Sequence, residues 1–244
     1  MAVIADVHSN AIALEAVLAD VRGRGIERIV NLGDNLNGPV DPARAAALLR
    51  GLERAVQVRG NGDRFVGDAA INRGTVAFAR ERIGAEALGW LASLPAVHDG
   101  GGWFACHGTP ASDTDYLLEE VTAAGVRPRD PAGVAERLGG VSHPLILCGH
   151  THLPRVVRLG DGRLVVNPGS VGLQAYTDEV PWPHRMETGS PPARYAVVSK
   201  SADGGRAELC TVAYDWERAA ELAQANGFAG WVPWIRTGRA TSGS

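Results

Sequence analysis

Short apolar runs alternate with helical patterns along the first part of the chain. Runs at Ala2–Ala5, Arg28–Leu32 and Ala55–Val58 are typical of buried strands. Amphipathic spacing over about Ala11–Arg24 and from Pro42 to about Arg54 predicts the helices that connect them. Such strand–helix–strand units predict parallel strands whose sheet is covered by helices on both faces.

Farther along the chain the pattern changes to antiparallel pairs. The predicted elements are a helix near Asn72–Ser93, strands near Trp103–Cys106 and Leu145–Cys148, a hairpin of Arg155–Leu159 and Arg163–Asn167 around Gly160-Asp-Gly162, a hairpin of Tyr195–Ser199 and Ala207–Ala213 around Asp203-Gly-Gly205, and a helix over Trp216–Ala225. This mixture predicts an α/β core of two packed sheets, of which the second is more antiparallel.

The 244 residues are 45% hydrophobic, which is enough for one large core. We predict a single domain over residues 1–236 and a disordered tail over residues 237–244. The net charge is only -3 and no block of basic residues occurs. A nucleic acid duplex is therefore not expected as a partner, and a small molecule is.

Apolar residues at the start of the chain meet Asp6 and His8 at once, so we find no secretion signal and expect a cytoplasmic protein. Apolar runs also stay well short of the ~20 residues that cross a membrane. Cys106, Cys148 and Cys210 lie in or beside predicted strands without C-x-x-C spacing. This pattern predicts buried free thiols.

Side chains that can bind a metal follow five of the predicted strands. They are Asp6, His8, Asp34, Asn61, His107, His150 and His152. Ligands of open α/β sheets bind at the carboxyl ends of the strands, so we expect these seven side chains to meet at one edge of the sheet. His150 and His152 are two residues apart, and in an extended chain they would point the same way.

This ligand set combines three carboxylate or amide groups with four imidazoles and no thiolate. It suits Mn²⁺ best, with Fe²⁺, Zn²⁺, Ni²⁺ and Mg²⁺ as alternatives. One ion needs about four protein ligands, so seven predict two ions that share a carboxylate. Each motif alone is an ordinary turn or a solvated histidine. The prediction depends on all of them occurring together.

The ordered series Asp6-Val-His8, Gly33-Asp34, Gly60-Asn61-Gly62-Asp63, His107-Gly108 and Gly149-His-Thr-His152 resembles the calcineurin-like metallophosphoesterase superfamily, in particular its small bacterial and archaeal branch. The resemblance extends from residue 2 to about residue 213. It implies a four-layer αββα sandwich of two packed mixed sheets flanked by helices. It also implies one ion held by Asp6, His8 and His152, a second held by Asn61, His107 and His150, and a bridge between them from Asp34.

The implied function is a phosphodiesterase or phosphatase that hydrolyses small phosphate esters or nucleotides through a hydroxide bridging two metals. Asp34, Asn61 and His150 would act in catalysis, and Asn61 with Arg64 would contact the substrate. The alternatives are a serine/threonine protein phosphatase and a non-catalytic scaffold of the same fold. A homodimer is a further expectation.

Gly62 departs from the pattern, because many members of the family have a histidine there that sits near the leaving group. We therefore predict that no general acid is present, unless Asp63 or His184 donates the proton. Gly62→His should then favour alkyl esters, provided that the backbone does not need a positive φ. If Arg64 does not contact the phosphate, an ion pair with Asp63 or Asp68 is the alternative.

Aromatic residues near the predicted loops are expected to serve packing. Tyr116, Tyr176 and Trp182 could stack on a nucleobase, but structural packing is the favoured interpretation. The segment Trp231-Val-Pro-Trp234 is predicted to be core or a dimer contact.

Overall fold

The computed structural model describes residues 1–199 and 205–240. Its strands are β1 (Ala2–Ile4), β2 (Ile29–Asn31), β3 (Val56–Gln57), β4 (Val97–Asp99), β5 (Phe104–Cys106), β6 (Glu119–Thr122), β7 (Gly125–Pro128), β8 (Leu145–Leu147), β9 (Arg155–Arg158), β10 (Leu164–Asn167), β11 (Ala175–Asp178), β12 (His184–Glu187), β13 (Ala193–Ser199) and β14 (Arg206–Val212). Its helices are α1 (Ala11–Gly23), α2 (Pro42–Arg50), α3 (Asn61–Gly67), α4 (Gly74–Ser93), α5 (Pro131–Arg137), α6 (Trp216–Ala225) and α7 (Trp231–Thr237).

The strands form two five-stranded mixed sheets. The first has the order β14-β13-β1-β2-β3, with β1, β2 and β3 parallel to one another. The second has the order β4-β5-β8-β10-β9, with β5, β8 and β10 parallel. Two further hairpins, β6–β7 and β11–β12, lie outside these sheets. The predicted pairs β9–β10 and β13–β14 are both present.

Apolar side chains between the two sheets form the central layer of the core. Val3 and Val30 of the first sheet pack with Leu147 and Val166 of the second. The other face of the first sheet packs on α1, α2 and α4, and the other face of the second packs on α5. The predicted four-layer αββα sandwich is confirmed, because the two sheets pack face to face and each has helices on its outer face.

Local sequence explains where the first helices begin and end. Asn10 caps α1 by accepting from the Ala13 amide, and Asp41 caps α2 by accepting from the Arg44 amide. The second helix ends at Arg50 with Gly51 as its cap, four residues before the predicted end. All three cysteines are buried free thiols, as predicted.

Several elements were not predicted from the sequence. They are α3, β4, the hairpins β6–β7 and β11–β12, and the helices α5 and α7. The expected disordered tail is wrong for residues 237–240, because Thr237 ends α7 and buried Ala240 donates its amide to Glu187. Residues 241–244 lie outside the described residues, as do Asp203 and Gly204 of the predicted turn. Within the described ranges, every helix is too short or too polar to span a bilayer.

Candidate metal centre

Six of the seven candidate ligands lie in loops that follow strands, and Asn61 is the first residue of α3, which follows β3. Those from the first sheet follow β1, β2 and β3, which are neighbours, and those from the second follow β5 and β8, which are also neighbours. The side chains therefore meet between the ends of two sheets and not at one edge of a single sheet. The turns that follow β1 and β2 are joined by backbone hydrogen bonds, from the amide of Asp6 to the carbonyl of Gly33 and from the amide of His8 to the carbonyl of Asp34.

Backbone strain is concentrated at this place. In the described part of the chain, positive φ occurs at six non-glycine residues, namely Asp6, His8, Ser9, Asp34, His150 and His152. Five of these six are candidate ligands. Left-handed backbone is unfavourable for residues with a Cβ and persists where the surroundings impose it, often at functional sites.

This strain corrects the expectation about His150 and His152. Both residues have a left-handed backbone, with φ of 72° and 60°, so the segment is a turn and not an extended strand. Their imidazoles consequently point to different neighbours. The ring of His152 lies 4.8 Å from the ring of His8, and the ring of His150 lies 5.0 Å from that of His107.

A first cluster contains Asp6, His8 and His152. Nε2 of His152 lies 3.5 Å from Oδ1 of Asp6 and 3.0 Å from Nε2 of His8. Nδ1 of His8 donates to the carbonyl of Asn37 at 2.7 Å, which leaves Nε2 with the lone pair. Two imidazole nitrogens and a carboxylate oxygen thus face one another in one buried cluster.

A second cluster contains Asp34, Asn61 and His107. Nδ1 of His107 donates to the carbonyl of Leu32 at 2.8 Å, so Nε2 again carries the lone pair. This Nε2 lies 3.0 Å from Oδ1 of Asn61 and 3.5 Å from Oδ1 of Asp34. Asp34 also reaches the first cluster, since its Oδ2 lies 3.7 Å from Nε2 of His8.

His150 lies at the edge of the second cluster. Its Nε2 donates to the carbonyl of Thr114 at 3.0 Å, which leaves Nδ1 as the nitrogen that can bind a metal. Its backbone amide donates to Oδ2 of Asp6 at 3.2 Å. His150 is half-buried, whereas His107 is fully buried.

These residues fit divalent ions. Oδ1 of Asp6 is fully buried and accepts no hydrogen bond from the described residues, which is costly for a carboxylate unless a cation balances it. Ligand atoms of Asp6, His8 and His152 lie within 4.8 Å of one another, as do those of Asp6, Asp34 and His107. In the neutral rings of His8 and His107, hydrogen bonds from Nδ1 to backbone carbonyls leave the facing Nε2 as an acceptor, as in metal-binding histidines.

Burial shifts the pKa values of most of these groups. It lowers the pKa of His150 to about 4 and also lowers those of His8 and His152, so these three rings are neutral near pH 7. It raises the pKa of Asp6 well above the usual range. Burial also acts against ionised Asp34, but the charge of neighbouring imidazoles, that of His107 first, and the hydrogen bond from the Gly62 amide outweigh burial and lower the pKa of Asp34. At His107 burial is outweighed by the charges of Asp34 and Asp6, which raise the pKa. The three neutral rings are in the protonation state that binds metals.

The first turn of α3 approaches Asp34 so closely at Gly62 that a side chain there has no room. The Gly62 amide donates to Oδ1 of Asp34 at 2.7 Å. A Cβ on Gly62 would lie 2.9 Å from the Cβ of Asn37 and 3.0 Å from both carboxylate oxygens of Asp34. The obstacle to Gly62→His is therefore space beside a candidate ligand and not a positive φ, so we no longer expect that variant to gain activity.

Neither suggested replacement for the general acid faces the centre directly. The carboxylate of buried Asp63 accepts from the amide and side chain of Asn35, both at 2.8 Å, and so ties the loop after β2 to α3. Burial raises its pKa to about 6. His184 pairs with the hydroxyl of Tyr116 at 3.0 Å, and the Tyr116 ring stands between His184 and His150.

Two residues beside the centre, Asp113 and Trp231, were not predicted as site residues from the sequence. Arg64 does not pair with Asp63 or Asp68 but forms a two-bond ion pair with Asp113, at 2.8 Å for each bond. Both line a pocket of about 330 Å³ that also contains His107. Trp231, predicted to be core or a dimer contact, is half-buried with its ring 6.1 Å from that of His8.

Comparison with known proteins identifies the class to which this fold and site belong. Residues 1–182 match the calcineurin-like phosphoesterase superfamily domain. The chain therefore belongs to the calcineurin-like phosphoesterase superfamily, whose members are metal-dependent phosphoesterases that bind divalent metals.

Similar proteins come from bacteria and archaea. The crystal structure of a metallophosphoesterase from Sphaerobacter thermophilus is 26% identical, covers 98% of each chain and has a TM-score of 0.76. The hypothetical protein PH1004 from Pyrococcus horikoshii, at 19% identity, shares the fold over 99% of each chain with a TM-score of 0.77. The uncharacterized protein MJ0912 of Methanocaldococcus jannaschii is 27% identical over 259 residues, which cover 95% of each chain.

Proposed function

We propose that the protein is a binuclear metal-dependent phosphodiesterase that hydrolyses small phosphate diesters, nucleotides among them. The observation that carries this proposal is the strained, buried cluster around Asp6, whose unpartnered carboxylate oxygen faces imidazole lone pairs. Membership of a superfamily of metal-dependent phosphoesterases supports the same chemistry.

The candidate ligands would bind the two ions in two groups. Asp6, His8 and His152 would hold one ion, and Asn61, His107 and His150 the other, with Asp34 shared because it reaches both clusters. Two divalent ions, when bound, lower the pKa of water and neutralise charge on phosphate oxygens, with Mn²⁺ as the first choice. Asn61 and His150 are half-buried, whereas the other five candidate ligands are buried, so the phosphate would enter beside these two.

A preference for diesters and for good leaving groups follows from what the site does not offer. Among the described residues, Gly62 lacks a side chain, Asp63 is engaged by Asn35, and His184 is separated from His150 by Tyr116. A departing alkoxide would therefore receive no proton from these groups. General acid catalysis is typically worth about 10²- to 10⁴-fold, so aryl esters should be cleaved much faster than alkyl esters.

A series of diesters with graded leaving-group pKa, assayed at saturating Mn²⁺, tests this function. We expect a steep fall in kcat/KM as the leaving-group pKa rises. Equal turnover of alkyl monoesters and aryl diesters would contradict the proposal. The same assays, with metal analysis of the sample and a phosphoserine peptide as an added substrate, separate the alternatives. A scaffold should cleave none of the esters, and a protein phosphatase should prefer the phosphoserine peptide.

A further inference from the structure

The wall of the pocket beside His107 contains two opposite charges that cancel. The guanidinium of Arg64 donates from Nε to Oδ2 and from Nη2 to Oδ1 of Asp113, with both distances 2.8 Å. Such parallel two-bond pairs hold both side chains in one plane. The side chains are 43% and 22% exposed, so the pair is open to solvent and to a ligand in the pocket.

The loop that carries Asp113 is closed by its own hydrogen bonds. The amide of Thr109 donates to the carbonyl of Ser112 at 2.8 Å, and the hydroxyl of Ser112 accepts from the amide of Asp115 at 3.2 Å. A Cβ at Gly108 would lie 2.6 Å from the carbonyl of Asp115, so the loop is packed against its own start. Asp113 is therefore presented from a fixed turn.

Both members of the pair are tied to the candidate metal centre. Thr114, the residue after Asp113, accepts from Nε2 of His150 through its carbonyl at 3.0 Å. Arg64 follows Asn61 by three residues on α3, so the two side chains share one side of that helix. The side-chain hydrogen bonds from Arg64 lower the pKa of Asp113, which keeps its carboxylate ionised near neutral pH.

We propose that Asp113 is a specificity-determining residue, which favours singly charged phosphodiesters over doubly charged phosphomonoesters by neutralising Arg64. The inference rests on the proposed function. A monoester carries close to two negative charges at pH 7.5 because its second pKa is about 6, whereas a diester carries one. An unpaired arginine would attract the monoester more strongly, and the ionised Asp113 also repels it more, because both energies scale with the ligand charge.

The experiment compares wild type, Asp113→Asn, Arg64→Ala and the double variant, all loaded with Mn²⁺. The first arm measures kcat/KM for p-nitrophenyl phosphate and for an aryl methyl phosphodiester. We expect Asp113→Asn to shift the ratio of the two kcat/KM values toward the monoester by about fivefold, because the substitution removes one partly exposed charge. Arg64→Ala and the double variant should not show that gain, because the released cation is absent from both.

A second arm measures binding without turnover. Calorimetric titration with inorganic phosphate and with dimethyl phosphate should show that Asp113→Asn tightens phosphate by about fivefold and dimethyl phosphate by less than about twofold. If wild type binds metal but cleaves no ester while this binding ratio still shifts, charge selection by Asp113 stands and the proposed hydrolysis fails.

Asp115→Asn is the matched control. Asp115 lies in the same loop and pairs with Arg137 at 3.2 Å, outside the pocket lining. Its substitution should leave both ratios unchanged. Equal changes for monoesters and diesters in Asp113→Asn would mean that Asp113 only positions Arg64 or the loop, and would overturn the proposal. An unchanged ratio, or the same shift in Asp115→Asn, would overturn it as well.

Discussion

The two halves of the candidate centre differ in how they meet the rest of the molecule. In the closed half, Asp6, His8 and His152 are at most 6% exposed, and the indole of Trp231 lies against His8. In the open half, Asn61 and His150 are half-buried beside the pocket that contains Arg64 and Asp113. Asp34 contacts both halves.

This difference shows how one site can combine tight metal binding with access for a substrate. Burying the carboxylate of Asp6 with Oδ1 unpartnered is unfavourable, so we expect a bound cation to stabilise the closed half. The open half has two half-buried ligands, Asn61 and His150, and His107 lines the neighbouring pocket, so an entering phosphate could reach this half. We therefore expect the closed half to control metal affinity and stability, and the open half to control turnover.

Asp34→Asn should have the largest effect, because it removes the contact between the two halves. Second-sphere contacts to metal ligands are worth about 10- to 100-fold in activity or metal affinity, so loss of a ligand shared by two ions should exceed a hundredfold. Elemental analysis and an aryl diester assay measure the result. The exposed turn variant Asp161→Asn is the control, and two ions per chain with normal turnover in Asp34→Asn would show that the bridge is misassigned.

His152→Ala and His150→Ala test the division itself. His152 is 3% exposed in the closed half, so its loss should reduce metal content and melting temperature together. His150 is half-buried in the open half, so its loss should lower kcat about tenfold or more while most of the metal is retained. Metal content, melting temperature and kcat are measured on both variants. Identical changes in the pair would mean that the two halves act as one unit.

Removal of metal should lower stability by a smaller amount. An ion present at 100 times its Kd stabilises the folded state by about 2.7 kcal/mol, which for a chain of this size is about 5 to 10 °C in Tm. Scanning calorimetry with Mn²⁺ and after verified chelation gives this shift. We expect most of it to be lost in His152→Ala, and an unchanged Tm in wild type would contradict a preformed site.

Much of this arrangement follows from the sequence because it depends on strand order. The polar residues after β1, β2 and β3 come together because these strands are neighbours in one sheet, and those after β5 and β8 come together in the other. The seven candidate ligands were predicted from such strand ends. Short apolar runs also predicted the pairs β9–β10 and β13–β14 correctly, but not the hairpins β6–β7 and β11–β12. These features depend on local periodicity, which a single sequence contains.

Features that depend on tertiary contact could not be predicted. The left-handed backbone at His150 and His152 is imposed by neighbouring turns, so an alternation argument gave the wrong geometry. Arg64 in α3 pairs with Asp113 in the loop after β5, and the two residues are 49 positions apart in the sequence. The position of Trp231 beside His8 depends on how α7 packs, and aromatic residues of this kind look the same as core residues in a sequence.

Trp231→Ala should have the smallest effect and tests whether the closed half also contacts the organic part of the substrate. The indole is half-buried and lies 6.1 Å from the His8 ring, measured between ring centres. Aromatic pairs contribute about 0.5–1.5 kcal/mol beyond buried area, so KM for aryl diesters should rise about two- to tenfold while kcat changes little. Dimethyl phosphate binding should be unaffected, and Trp182→Ala, at a 51% exposed residue near the β11–β12 turn, is the control. If aryl and methyl esters lose affinity equally, Trp231 acts by packing α7 against the closed half and does not contact the substrate.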